Sequence, residues 1–175
     1  MSVNHLKEAI REIPDFPKPG ILFRDITPLL ENGALFRETI DLLAAECAGC
    51  SPSKIVGLDA RGFIFGAALA YKLSLGFVPI RKKGKLPFRT ISQSYDLEYG
   101  AAEFEIHSDS IFPGESVIIV DDLLATGGTA GAAVQLVEKL GAKVVKLLIV
   151  LELSGLGGRE RLKGAEVRSL ITYPA

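Results

Sequence analysis

Two adjacent carboxylates, Asp121 and Asp122, stand just ahead of the run Ala125-Thr126-Gly127-Gly128-Thr129. Ionised carboxylates only accept hydrogen bonds, threonine hydroxyls donate them, and glycine lets a ligand reach backbone N–H groups. Upstream lies the β-branched apolar run Val117 to Val120, after the turn signal Pro113-Gly114. That pattern predicts a strand buried on both faces, as in a parallel sheet. Downstream, Ala130, Ala133, Val134, Val137 and Leu140 recur at helical spacing, and Gly141 closes the helix. The order is strand, acidic pair, glycine loop, helix. Free N–H groups and the helix dipole favour an anion at such a loop, and Thr126 and Thr129 add donors. Neighbouring carboxylates need donors in turn, which sugar hydroxyls supply. A ribose 5-phosphate meets both requirements. The plainer reading is an N-cap Asp beside a solvated one. For Asp-Asp alone that reading would be preferred. The buried strand before it and the Thr-Gly-Gly-Thr loop after it favour the ligand.

The wording Val-Asp-Asp-Leu-Leu-Ala-Thr-Gly-Gly-Thr resembles the phosphoribosyl pyrophosphate (PRPP) motif of type I phosphoribosyltransferases, and in particular the branch acting on adenine. It is not a P-loop, because no Gly-Lys-Ser/Thr occurs. The resemblance implies PRPP and adenine as substrates, Mg²⁺ held mainly through PRPP rather than by a direct protein metal site, and a homodimer. A phosphoribosyltransferase for another base and a PRPP-sensing regulator of the same fold are the alternatives. A regulator would be expected to carry a DNA-binding region or a basic face. Lys and Arg total 20 against 21 Asp and Glu, a net charge of −1, so nothing suggests nucleic acid.

Length and hydropathy set the frame. A chain of 175 residues predicts one domain. Its apolar runs are too short to span a bilayer, and no signal-peptide core is legible, so no membrane partner and a cytoplasmic setting are expected. Cys47 and Cys50 form a C-x-x-C at a helix end rather than at a helix start, and His5 and His107 complete no zinc pattern. The two cysteines read as reduced and structural. Gly155-Leu156-Gly157-Gly158-Arg159-Glu160 lacks the last glycine of a dinucleotide fingerprint.

Other segments must position the chemistry. Leu6, Ile10 and Ile13 predict a helix over 4–13, ended by Pro14. Ile21 to Leu30 lies between prolines and reads, on its residues alone, as an arm packing Phe16, Phe23 and Leu29 on the core. It is also similar to the family's base-binding hood, placing backbone groups of Leu22 at the adenine edge, Phe23 over the ring and Arg24 beside it. Asn32 is a candidate N-cap for a helix carrying Phe36, Ile40, Leu43, Ala44 and Cys47 on one face.

Lys54 to Asp59 predicts a second buried strand, opening through Asp59-Ala60-Arg61-Gly62 on a helix with Phe63, Ala67, Ala70 and Tyr71. Arg61 there is either a surface ion pair or an anion ligand, and the wording resembles the family's pyrophosphate loop. A third strand, Gly76 to Ile80, runs into Arg81, Lys82, Lys83 and Lys85. Between Lys82 and Leu97 no clean period is visible, which reads as a flexible loop over 82–98 that closes on pyrophosphate. The resemblance makes Arg61, Arg81, Lys82 and Lys85 its ligands.

Tyr95, Leu97 and Tyr99, then Phe104 and Ile106, alternate as in an antiparallel hairpin. Glu98 in its first arm reads as a solvated strand carboxylate, but the resemblance places it at the purine imidazole edge as a catalytic group beside Arg61. Strands at Lys143 to Leu151 and Val167 to Ile171 complete the pattern. The predicted architecture is α/β, with a mostly parallel central sheet flanked by helices. An N-terminal arm (1–33), the loop, the hairpin and the PRPP motif (117–130) are set around it.

Overall fold

A computed structural model describes residues 3–96, 101–162 and 164–174. The chain opens with helix α1 (Asn4–Glu8), then the antiparallel pair β1 (Arg11–Pro14) and β2 (Leu22–Asp25). Helices α2 (Thr27–Glu31) and α3 (Gly33–Glu46) follow. The main sheet is built from β3 (Lys54–Leu58), β4 (Gly76–Lys82), β5 (Thr90–Asp96), β6 (Ala101–His107), β7 (Ser116–Leu124), β8 (Lys143–Ser154) and β9 (Val167–Pro174). Between its strands lie α4 (Gly62–Leu73), α5 (Gly128–Lys139) and α6 (Gly158–Arg161). The strand order is β5-β6-β4-β3-β7-β8-β9. From β4 through β3, β7 and β8 to β9 all pairings are parallel, and the β5–β6 hairpin is added antiparallel at the β4 edge.

The central strands are apolar on both faces because each face has its own core. Val117 and Ile119 of β7 join Leu136 and Val137 of α5 together with Phe104 and Ile106 of the hairpin. Their neighbours Ile118 and Val120 point the other way and pack with Leu43 of α3 and Phe65 and Leu69 of α4. Period-2 alternation thus distributes one apolar run between two cores, and the carboxyl ends of the strands lie where open α/β sheets ordinarily bind ligands. Asn32 caps α3, accepting from the N–H groups of Ala34 and Leu35 at 3.0 and 3.2 Å.

Three expectations are corrected. The helix over 4–13 stops at Glu8, and 11–14 pair as a strand with 22–25. Leu6 and Ile10 are buried as their spacing required, but a helix this short is marginal by itself and the β2 ladder takes the rest. The supposedly irregular stretch after Lys82 becomes regular at Thr90: β5 pairs with β6 from Thr90↔His107 to Asp96↔Ala101. Polar Thr, Ser and Gln at half-exposed positions hid its period. In α4 the buried residues include Phe65, Gly66, Leu69 and Ala70, while Tyr71 is 89% exposed. A helix apolar all round does not declare its inner face by periodicity.

Candidate active site

β7 runs further than its apolar core suggested, so Asp121 and Asp122 are strand residues, only 9% and 6% exposed. Asp121 Oδ1 accepts the N–H of Asp122 at 2.9 Å, and Asp122 Oδ2 lies 2.9 Å from Arg61 Nε. Burial, reinforced by Asp122, holds the Asp121 carboxyl well above the usual carboxylate range. Burial also raises Asp122, with Arg61 working against it. Burial and mutual repulsion thus penalise ionisation of the pair, and hydrogen-bond donors would offset that penalty.

Arg61 comes from the end of β3, where the Asp59–Ala60 peptide is cis. Asp59, Ala60, Arg61, Asp121, Asp122, Leu123 and Thr129 line one open cleft of ≈ 250 Å³. Next to it, Gly127 takes a left-handed φ of 81° and starts α5, with no side chain capping that helix. The first-turn N–H groups of Gly128 and Thr129 are therefore oriented as an anion site. The loop rests on α6. A Cβ on Gly127 would lie 2.7 Å from the Gly158 carbonyl oxygen, and one on Gly158 would lie 2.3 Å from that of Ala125. Gly158 is held in turn by Arg159, whose Nε and Nη2 donate to buried Glu152 at 2.6 and 2.7 Å.

On the other flank, Arg81 at the end of β4 reaches back to Asp59 (Nε to Oδ2, 3.3 Å). Lys82 ends β4, and Lys85 lies in the turn that follows; both are exposed. Of the cations expected at the pyrophosphate, Arg61 and Arg81 are tied to the strand ends through Asp122 and Asp59, while Lys82, next along β4, leaves the opposite face of the strand from Arg81.

The hood joins from above. Phe23 sits edge-on to Phe16, ring centroids 5.1 Å apart, and the Arg61 guanidinium carbon is 5.8 Å from the Phe23 ring centre. Leu22 is exposed beside it. The arm is more ordered than its prolines suggested: β2 is laddered to β1, and its other edge has no strand neighbour among the described residues. That edge leaves backbone groups of β2 outside the ladder. Arg24 faces elsewhere, stacked over Tyr173 of β9 at 4.2 Å and ion-paired with Glu12. It fastens the hood to the sheet. Asp25 accepts from the hydroxyl and N–H of Thr27 at 2.6 and 2.9 Å, and these bonds hold its carboxyl below the usual range. Glu98 lies outside the described residues.

Sequence reasoning missed Asp59, Gly158 and the contact between Phe23 and Arg61. Asp59 carried a signal in its position at a strand end. The other two depend on tertiary approach alone.

Comparison with known proteins agrees with this geometry. Residues 26–169 match the model of the phosphoribosyl transferase domain. The adenine phosphoribosyltransferase of Carboxydothermus hydrogenoformans is 59% identical over 168 residues, covering 96% of this chain and 99% of that one. The chain belongs to the adenine phosphoribosyltransferase family. The family's crystal structure from Thermoanaerobacter pseudethanolicus superposes with a TM-score of 0.95 at 50% identity, over 98% of this chain and 100% of that one. The Saccharomyces cerevisiae enzyme, solved with adenine and an imino-altritol bisphosphate, gives 0.91 at 45% identity, over 96% and 97%. The family's type I α/β fold accounts for the mostly parallel sheet and its added hairpin.

Proposed function

We propose that this chain transfers the 5-phosphoribosyl group of PRPP to adenine, forming AMP and pyrophosphate in purine salvage. The observation that carries the reading is the Arg61–Asp122 pair, set in one cleft with Asp121 and Thr129 beside the uncapped start of α5. Ala125, Thr126, Gly127, Gly128 and Thr129 bind the 5′-phosphate. Asp121 and Asp122 accept from the ribose hydroxyls. Arg61, Arg81, Lys82 and Lys85 take the charge that develops on pyrophosphate as its bond to the ribosyl carbon breaks. A purine nitrogen forms the new bond to that carbon, and the imidazole proton passes to Glu98. Free backbone groups at Leu22 read the adenine edge, and Phe23 covers the ring. Arg24, stacked on Tyr173, anchors the hood to β9 rather than contacting the base. Of the segment expected to cover the pyrophosphate, the connection between Lys82 and Thr90 is the part outside the hairpin ladder, and it shields the cationic centre from water during turnover.

Mg²⁺ fits this arrangement. No group of three or more His, Cys, Asp or Glu side chains gathers among the described residues. Mg²⁺ is ordinarily held by one or two carboxylates plus substrate phosphates. PRPP supplies most of the oxygens that would hold the ion, while Asp121 and Asp122 remain committed to the ribose hydroxyls and Arg61. The ion neutralises pyrophosphate charge when bound.

The chain is proposed to be a homodimer, for which the exposed Ile64 and Tyr71 of α4 offer an apolar surface. Sedimentation should show twice the 18.8 kDa chain mass. No helix among the described residues is long and apolar enough to cross a membrane. PRPP, too highly charged to enter hydrocarbon, points to a cytoplasmic reaction.

A base panel with PRPP and Mg²⁺ tests the assignment. Adenine should release pyrophosphate and yield AMP. Hypoxanthine and guanine should fall by roughly 10⁴-fold in kcat/KM, because their 6-oxo edges place acceptor against acceptor. Comparable rates with a keto purine would overturn the choice of base. No pyrophosphate release with any base would overturn the enzyme reading in favour of a PRPP sensor.

A further inference from the structure

Glu105 is a charged residue that the reaction as described does not use, yet it is only 5% exposed. It sits in β6, the inner arm of the hairpin, and its direct cross-strand partner is Arg81 of β4. Partners in register share a face of the sheet, so the two side chains leave it side by side. Each then takes hold of the same residue. Glu105 Oε1 accepts the N–H of Lys85 at 3.0 Å and that of Leu86 at 2.9 Å. Arg81 Nη1 donates to the Lys85 carbonyl at 3.3 Å. Lys85 is thus clamped at both its N–H and its C=O, with its own side chain exposed. The same Arg81 bonds Asp59 through Nε, which joins the clamp to the strand end carrying Arg61.

A second contact fixes the turn further out. Lys83 donates its backbone N–H to the Glu103 carbonyl at 2.9 Å and pairs its ammonium with the Glu103 carboxylate at 2.6 Å. Glu103 and Glu105 are two residues apart on one strand, hence on one face. Burial would raise the Glu105 carboxyl, but the N–H donors of Leu86, Gly84 and Lys85 outweigh it and keep it below the usual range. It is therefore an anion at neutral pH, and a strong acceptor. A bare cationic turn of the composition Lys83-Gly84-Lys85 would otherwise sample many conformers and lose ordering entropy on binding.

We propose that Glu105 is the positioning residue of the pyrophosphate rim: with Arg81 it clamps the Lys85 backbone, presetting the Lys85 ammonium beside Arg81 and Arg61. Glu105 does not touch the anion itself, since its carboxylate is occupied by backbone donors and would repel pyrophosphate if freed. This inference rests on the assignment of that rim to pyrophosphate.

The test compares Glu105→Ala, Glu105→Gln and Lys85→Ala in the full-length protein. Direct binding of Mg-pyrophosphate and of AMP is measured for each, alongside KM for PRPP and for adenine. Glu105→Ala should weaken pyrophosphate binding and raise the KM for PRPP by about tenfold, the equivalent of about 1.4 kcal/mol. AMP binding and the KM for adenine should stay within about twofold. Glu105→Gln keeps an oxygen acceptor for both N–H groups and should recover most of the loss.

Lys85→Ala should weaken pyrophosphate at least as much as Glu105→Ala does. Unchanged pyrophosphate affinity in Glu105→Ala, with a loss in Lys85→Ala, would overturn the clamp and leave the site reading intact. Equal loss of AMP and pyrophosphate affinity in Glu105→Ala would also overturn it, by showing a general structural role. Unchanged affinity in both Ala variants would instead remove the rim from the pyrophosphate site and the clamp with it.

Discussion

Arg61 Nε lies 2.9 Å from Asp122 Oδ2, tying the end of β3 to the far end of β7. In the ligand-free protein this pair satisfies a buried carboxylate. On the proposed reading, the same cation serves pyrophosphate and the same anion serves ribose. Arg61→Met should therefore raise the KM for PRPP and leave Asp122 without a cation. A hydrogen bond to a charged group is worth about 1.5–3 kcal/mol. The Arg61 side chain is 40% exposed, so screening favours the lower end, about tenfold. Initial rates across PRPP concentrations measure this, and an unchanged KM would reduce Arg61 to a structural partner.

Asp121→Asn should separate stability from activity. The Asp121 carboxyl is raised from 3.8 by burial and by Asp122. The folded state thus holds this proton more tightly than the unfolded state does. Its stabilisation is full below pH 3.8 and is lost as the pH rises through the higher folded value. Asparagine can still accept the Asp122 N–H without that penalty. The ligand-free variant should melt higher than wild type at neutral pH, by about 2–4 °C per kcal/mol recovered, and the gap should close towards pH 4. Its kcat/KM for PRPP should fall, because a neutral amide is a poorer acceptor for ribose hydroxyls. Melting curves from pH 4 to 8 and PRPP kinetics test both halves.

Glu98→Leu should lower kcat by about 10²–10⁴-fold with little change in the KM for adenine, as expected for loss of a general acid–base group. Single-turnover rates separate this from slow product release. A near-wild-type kcat would return Glu98 to a solvated strand position.

Two glycines, one at the start of α6 and one within α5, should respond in opposite directions. Gly158→Ala drives a methyl group into the Ala125 carbonyl oxygen, a 2.3 Å approach that forces the phosphate loop or α6 to move. It should cost about 1–3 kcal/mol of stability and weaken AMP binding. Gly131→Ala, within α5, meets nothing within 4 Å and should stabilise by about 0.5–1 kcal/mol with normal activity. Thermal melts and AMP titration compare the two.

The phosphate loop was legible in the sequence because every level agreed there: a buried run, small residues, then a helix period. The hood was legible only by resemblance. Its ladder depends on Arg11–Pro14, whose Ile13 matched a helix continued from Ile10 until Phe23 came opposite it. Arg24 looked like a base contact by its place in the motif, and only the fold shows Tyr173 beneath it. Glu105 was hidden for a different reason. A carboxylate in an alternating strand reads as solvated, and register against Arg81 is what turns it inward.

The contact between Gly127 and Gly158 also orders events during synthesis. The strand, the acidic pair, the loop and α5 leave the ribosome together as one local unit. The surface that the loop leans on is translated some thirty residues later, and Glu152 and Arg159 must meet before it is fixed. A nascent chain ending at Leu140 therefore holds the whole proposed phosphate loop without the support that shapes it. Affinity for a nucleotide should emerge abruptly, once α6 is free to dock, rather than growing in step with chain length.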